Sequence, residues 1–133
     1  MTNIKLVGSR ITKIEADRKP EFSGNLEITT NIRVISIDKI KEAKDTLKIS
    51  YAFEINYKEL GKILIEGNIF ISTDSKIIKE ILKAKENKQL DSKEYITISN
   101  LINQRASIKA LELEEELGLP IHMKLPTLTI KNQ

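Results

Sequence analysis

The sequence predicts an α+β fold, in which a four-stranded antiparallel sheet is followed by one short and one long helix packed on one face. Apolar residues alternate with polar ones through roughly the first seventy residues and then recur at helical spacing. Because all the strand-like segments precede the helix-like ones, with no strand–helix–strand succession, an antiparallel sheet is favoured over a parallel one. The length of 133 residues suits one core, so we expect residues 1–133 to form a single domain.

The third and fourth strands are the clearest elements. Every second residue from 47 to 57 is aliphatic or aromatic, and polar residues occupy most of the positions between them. A short turn at residues 59–62 leads into a second alternating run over residues 63–71. The two strands are therefore predicted to form a hairpin.

The first two strands change phase within their length. Apolar residues of the second strand share one face within residues 26–34 and then continue at Ile35 and Ile37, which is a shift of one residue. Such a shift indicates a β-bulge or bend. The first strand is interrupted near Gly8, where we also expect a bend. The charged segment 38–45 is interpreted as a loop or a hairpin tip.

Two helices are predicted to complete the domain. Asp74 is a typical N-cap for the first helix, which ends by Asn87. The second is predicted over residues 91–117, with an acidic capping box at its start and Gly118 as its C-terminal stop.

The second helix carries apolar residues in two lines that share one broad face. One line is Ile98, Leu101, Ile108 and Leu111, and the other is Ile102, Ala106, Ala110, Leu113 and Leu117. Its last turns are acidic, with Glu112, Glu114, Glu115 and Glu116. That charge is unfavourable at a helix C-terminus, and either solvation or pairing with a lysine would offset it.

An apolar segment, residues 119–130, follows the second helix, and we call it the C-terminal arm. Pro120 and Pro126 prevent it from joining the sheet as a central strand, so we expect it to be extended and open to side-chain recognition. Its aliphatic residues must be covered by this domain, by a second subunit or by a bound chain.

Composition argues against several classes of function. The chain has no cysteine, which excludes disulfides and thiol catalysis, and it has one histidine, so no histidine pair can bind a metal. That residue, His122, is interpreted as a packed or solvent-edge side chain rather than a catalytic base. The five glycines are isolated and form no phosphate-binding loop. We expect no enzymatic activity and no cofactor.

The sequence also bounds location and partners. No segment approaches the roughly 18 uncharged apolar residues that would span a bilayer, and no export signal precedes the first strand. We therefore expect a cytoplasmic protein without membrane insertion. The net charge of +3 is modest, and acidic residues interrupt the lysines around residues 39–48, so nucleic acid is not an expected partner.

The face opposite the helices displays Leu64 and Phe70, and a second copy of the chain is the simplest cover for it.

The chain resembles the SecB-like export chaperones, especially their archaeal and toxin–antitoxin-associated relatives. Residues 11–20 resemble the family's first strand and turn, and residues 45–71 resemble its central hairpin. The segments Leu117-Gly118-Leu119-Pro120 and Leu125-Pro126 are similar to its tail. The resemblance implies a tetramer, built as a dimer of dimers, whose hydrophobic grooves hold unfolded polypeptide without ATP. The basic charge departs from the acidic family pattern and argues against docking to an export motor.

The leading hypothesis is a homo-oligomer, a dimer or a tetramer, that binds unfolded or partly folded polypeptides without ATP, with a link to protein export left open. Its groove is predicted to be lined by Tyr51, Phe53, Ile102, Leu113, Leu117, Leu119, Ile121, Met123 and Leu125. The alternative is a structural or adaptor subunit that binds one dedicated protein partner, for example within a toxin–antitoxin system. A nucleic-acid-binding module is a third reading.

Overall fold

The expected α+β architecture is confirmed in the computed structural model, which describes residues 4–21, 24–86 and 93–123. Its elements in chain order are β1 (Lys5–Arg18), β2 (Thr29–Ile40), β3 (Ala43–Asn56), β4 (Gly61–Ser72), α1 (Ser75–Glu86) and α2 (Lys93–Leu117). The strands form one antiparallel sheet in the order β1-β4-β3-β2. Both helices pack on the same face of this sheet. Neither described helix is long and apolar enough to cross a membrane.

The core lies between the sheet and the helices, and the alternating residues of β3 and β4 form its centre. Every second residue of β3 from Leu47, and Tyr57 just beyond the strand, is 0–1 % exposed. The predicted buried face of the third strand is therefore confirmed. The two strands form the predicted hairpin, in which Asn56 pairs with Lys62.

Bulges lie where the apolar pattern shifts. In β2 the pairing register shifts between Val34 and Ser36, and Ile35 between them is 47 % exposed. In β1 a shift occurs at the predicted bend next to Gly8, and a second occurs around Thr12. The segment predicted as a loop or hairpin tip is a tip, because both strands run through it and only residues 41–42 form the turn.

Helix ends follow the capping residues of the sequence. Asp74 Oδ1 accepts a hydrogen bond from the Ile77 backbone N–H at 2.9 Å, which confirms the predicted N-cap of α1. At the end of α2, Gly118 has a φ of 68°, the left-handed conformation that glycine adopts at no steric cost. The N–H groups of Gly118 and Leu119 then donate to Glu115 O at 3.4 Å and Glu114 O at 2.8 Å, which is a Schellman motif. The start predicted at Asp91 lies outside the described residues.

One expectation for α2 is wrong, and a second holds only in part. Ile108, predicted on the broad apolar face, is 57 % exposed. Among the acidic residues at the helix end, Glu112 pairs with Lys109 at 2.9 Å and Glu115 and Glu116 are exposed, but Glu114 is fully buried. The covered stripe follows every fourth residue, through Ile98, Ile102, Ala106, Ala110 and Glu114. Because each residue turns a helix by about 100°, Ile108 lies on the opposite side from its neighbours two positions away in that stripe.

Candidate functional site

A group of buried and partly buried polar side chains joins the C-terminal arm to α2 and to the residue that follows β3. We call Tyr57, Asn103, Ser107, Glu114 and His122 the arm cluster. The Tyr57 hydroxyl donates to Glu114 Oε2, which also accepts a hydrogen bond from the His122 backbone N–H at 3.0 Å. His122 Nδ1 lies 3.0 Å from Glu114 Oε1, and its Nε2 lies 3.0 Å from Ser107 Oγ. The Ser107 hydroxyl donates to Asn103 Oδ1 at 3.2 Å.

The Glu114 carboxylate is buried with its hydrogen-bonding needs met. Its side chain is 0 % exposed and that of His122 is 3 % exposed. Burial and the adjacent Glu114 raise the pKa of Tyr57 far above its usual value, so the phenol remains a donor. A carboxylate without partners would be very costly here, and the donors on Tyr57 and the arm offset that cost. Neither solvation nor a lysine stabilises Glu114 in the described structure, because His122 is its ionisable basic partner.

Ser107, His122 and Glu114 are connected in the order of a serine–histidine–acid relay. Ser107 lies inside α2, is 4 % exposed and uses its hydroxyl hydrogen on Asn103. A nucleophile must reach a substrate, and this hydroxyl is packed away from solvent. We therefore interpret the arm cluster as the structural connection that holds the arm, which agrees with His122 as a packed side chain. Its ring also lies edge-on to Phe53, with centroids 5.8 Å apart.

A cavity of about 460 Å³ lies beside the arm cluster at the C-terminal end of α2. We call it the arm pocket. Its lining combines side chains of the last helical turns with the start of the arm: Leu111, Glu114, Glu115, Gly118, Leu119 and Ile121. Of the two arm residues with aliphatic side chains, Leu119 is buried, whereas Ile121 is 48 % exposed. The arm therefore returns to the helix and forms one wall of an apolar recess.

A second recess lies between β1 and α2. This β1–α2 groove has a volume of about 300 Å³ and is lined by Ser9, Arg10, Ile11, Tyr51, Arg105, Ile108, Lys109 and Glu112. Ile11 and Ile14 on the outer strand are each 40 % exposed, although they share the helix-facing side of the sheet with buried residues of β4. Consequently the helices leave the β1 margin of this face partly open.

The opposite face of the sheet is more polar. Leu64 and Phe70 are half-buried there, and the Arg10 guanidinium lies 5.4 Å from the centre of the Phe70 ring. Arg10 Nε donates to Asn68 Oδ1 at 2.8 Å, and Asn68 Nδ2 donates to Ser50 Oγ at 2.9 Å. Side chains of the same chain thus cover part of the apolar surface for which a second copy was expected.

The nine residues predicted to line a groove lie in three kinds of environment. Tyr51, Phe53, Ile102 and Leu119 are buried in the core. Leu113 and Leu117 are half-buried on α2, and Ile121 and Met123 are exposed on the arm. Leu125 lies outside the described residues. The arm pocket brings together Leu119 and Ile121 of this set, and the groove as a whole stays a prediction.

The sequence reasoning missed Tyr57, Asn103, Ser107 and Glu114 as a cluster. One signal could have found Glu114, because the line of every fourth residue through Ile102, Ala106 and Ala110 leads directly to it. An acidic residue on an otherwise buried line requires buried donors, which points to a polar cluster beneath the helix end.

Comparison with known proteins identifies the fold. No protein-family model and no curated protein matches the sequence. Among solved structures, the chain is similar to the Mycobacterium tuberculosis Rv1957 SecB-like chaperone, solved in complex with a ChAD peptide from the Rv1956 HigA1 antitoxin. The TM-score is 0.53 at 11 % sequence identity, over 95 % of this chain and 88 % of that chain. The chain has a SecB-like fold. This likeness confirms the α+β architecture that the order of elements suggested.

Proposed function

We propose that this protein binds unfolded or partly folded polypeptides without ATP, as a chaperone-like protein. The observation that carries the proposal is the arm pocket, an apolar recess at the end of α2 in a chain with a SecB-like fold. The Mycobacterium neighbour is in complex with a peptide from another protein, which supports peptide binding by a protein of this fold.

The chemistry of the arm pocket suits an apolar segment of a polypeptide. Leu111, Leu119 and Ile121 provide aliphatic surface, and the described part of the arm continues to the exposed Met123. Burial of apolar surface is non-directional, so such a recess recognises aliphatic and aromatic side chains without a strict sequence requirement. Methionine adapts to differently shaped partners because its side chain is unbranched and flexible.

We further propose that the active form is a cytoplasmic homo-oligomer, a dimer or a tetramer. The β1–α2 groove supports this, because Ile11, Ile14 and Ile108 are exposed along one margin and a second copy could cover them. The two recesses therefore have different roles in the proposal: the arm pocket binds polypeptide, and the β1–α2 groove mediates self-association. The net charge of +3 does not favour an acidic docking face for an export motor, so a role in export is not part of the proposal.

A second candidate function is that of an adaptor for one dedicated protein partner. The neighbour's complex with an antitoxin peptide specifically favours this alternative. The two candidates differ in breadth, since a chaperone binds many unrelated unfolded chains and an adaptor binds one.

The test is suppression of aggregation in the absence of nucleotide. Chemically denatured citrate synthase and denatured rhodanese are each diluted into buffer with a several-fold molar excess of the protein, and light scattering is recorded. We expect reduced scattering for both substrates. Unchanged scattering for both would contradict the chaperone-like function and would favour the adaptor, which protects neither of two unrelated chains.

A further inference from the structure

The described part of the C-terminal arm is held at two points by one residue. The Glu114 backbone carbonyl accepts the Leu119 N–H at 2.8 Å, and its side chain accepts the His122 N–H at 3.0 Å. The first bond belongs to the helix cap and needs no particular side chain at position 114. The second depends on the carboxylate. Ile121 therefore lies between a residue held by the backbone of Glu114 and a residue held by its side chain.

The arm pocket depends on this arrangement. One wall is helical, with Leu111 and Glu115, and the other is the arm, with Leu119 and Ile121. The helical wall is fixed by α2, but the arm wall has no hydrogen-bonded ladder of its own among the described residues, since it lies outside the sheet and both helices. The direction in which Ile121 projects is thus determined by how His122 is held.

A buried carboxylate is a costly way to fill this position. The four preceding members of the covered stripe of α2 are apolar or small, and a leucine at position 114 would continue that pattern. Replacement of buried ionic groups by apolar residues is often neutral or stabilising. An apolar residue, however, forms no directional hydrogen bonds. The carboxylate bonds to Tyr57, to the His122 backbone and to the His122 ring, and so fixes the position of all three.

We propose that Glu114 is a positioning residue of the polypeptide-binding site, whose carboxylate holds the arm so that Leu119 and Ile121 form the wall of the arm pocket. The inference rests on the proposed function for the identity of the ligand. Tyr57 and His122 act with Glu114, the first by anchoring the carboxylate to the sheet and the second by carrying the arm.

Amide-resolved hydrogen exchange of the full chain tests this positioning, with Glu114→Ala as the variant. The His122 N–H loses its acceptor, so we expect its exchange to become faster by on the order of tenfold or more. The Leu119 N–H still donates to the backbone carbonyl at position 114 and is the internal reference, with exchange unchanged. Glu114→Gln retains one acceptor oxygen and should restore part of the protection. Glu116→Ala, at an exposed position of the same turn, is the matched control and should change neither amide.

Binding is measured on the same proteins with reduced, carboxymethylated α-lactalbumin as the unfolded probe. We expect Glu114→Ala to weaken binding several-fold, Glu114→Gln to weaken it less and Glu116→Ala to leave it unchanged. If the His122 amide of Glu114→Ala exchanges as slowly as in the wild-type protein, the proposal is overturned. Equal loss of protection at Leu119 and His122 would also overturn it, because Glu114 would then be a general stability residue. If the wild-type protein binds no probe, the proposed function fails, while the exchange rates still decide whether Glu114 positions the arm.

Discussion

Replacing Ile121 by serine should weaken polypeptide binding, whereas serine at an equally exposed position far from the arm pocket should not. Full burial of an isoleucine side chain is worth about 1.5–3 kcal/mol. Ile121 is 48 % exposed, so roughly half of that free energy, about 0.7–1.5 kcal/mol, is gained only when a bound chain covers it. We therefore expect Ile121→Ser to raise the Kd for an unfolded probe by about threefold to tenfold.

Ile96 provides the matched control because it has nearly the same exposure, 50 %, and lies in the first turn of α2 at the other end of the helix from the arm pocket. Each serine variant removes a similar area of buried apolar surface, so both should lower the free energy of unfolding by about 1 kcal/mol. Only Ile121→Ser should weaken binding.

The assay is a fluorescence anisotropy titration of labelled, reduced and carboxymethylated α-lactalbumin, accompanied by thermal unfolding and sedimentation velocity. Equal affinity of the two variants would refute the placement of the polypeptide at the arm. Loss of the oligomer in Ile121→Ser would instead assign the arm to a contact between protomers.

Three further predictions concern the scaffold. Gly67→Ala places a Cβ 2.4 Å from the backbone carbonyl oxygen of Arg10, so we expect the free energy of unfolding, measured with denaturant, to fall by about 1–3 kcal/mol or more. Gly8→Ala is the control, because its Cβ meets its nearest atom at 3.5 Å, and its stability should lie within about 1 kcal/mol of wild type. Equal stability of the two variants would contradict the close packing of β1 on β4 at Gly67. Asp74→Ala removes the N-cap of α1 and should cost about 1 kcal/mol in the same experiment, and an unchanged midpoint would mean that the cap contributes nothing. Tyr57→Phe removes a hydrogen-bond donor from the buried Glu114 carboxylate, so the free energy of unfolding should fall by about 1–3 kcal/mol. A more stable variant would contradict the claim that Tyr57 stabilises Glu114.

The sheet could be predicted from the sequence because one of its faces is buried and the other is largely polar. That asymmetry makes each strand alternate, and it also makes a bulge visible as a shift of one residue, as at Ile35. The start of α1 and the end of α2 could also be predicted from the sequence, because Asp74 and Gly118 act through local geometry within one turn of each residue.

The covered side of α2 could not be derived in the same way. Its surface carries apolar residues in more than one line, and packing against the sheet, not periodicity, selects the line through Ile102 and Ala106 over the side that displays Ile108. The arm cluster could not be predicted for a related reason. Its members Tyr57, Glu114 and His122 are far apart in the sequence or lie on different elements, and only the tertiary fold shows that Tyr57 and His122 form hydrogen bonds with Glu114.

The central claim is that this chain binds unfolded polypeptide through an apolar surface distinct from the one that joins its subunits. The most direct measurement is the mass of the purified protein by native mass spectrometry, without nucleotide, before and after addition of reduced, carboxymethylated α-lactalbumin. We expect an oligomer whose mass increases by whole numbers of probe molecules while the number of subunits stays constant. An unchanged mass at a several-fold excess of probe, or dissociation of the subunits as the probe binds, would contradict the claim.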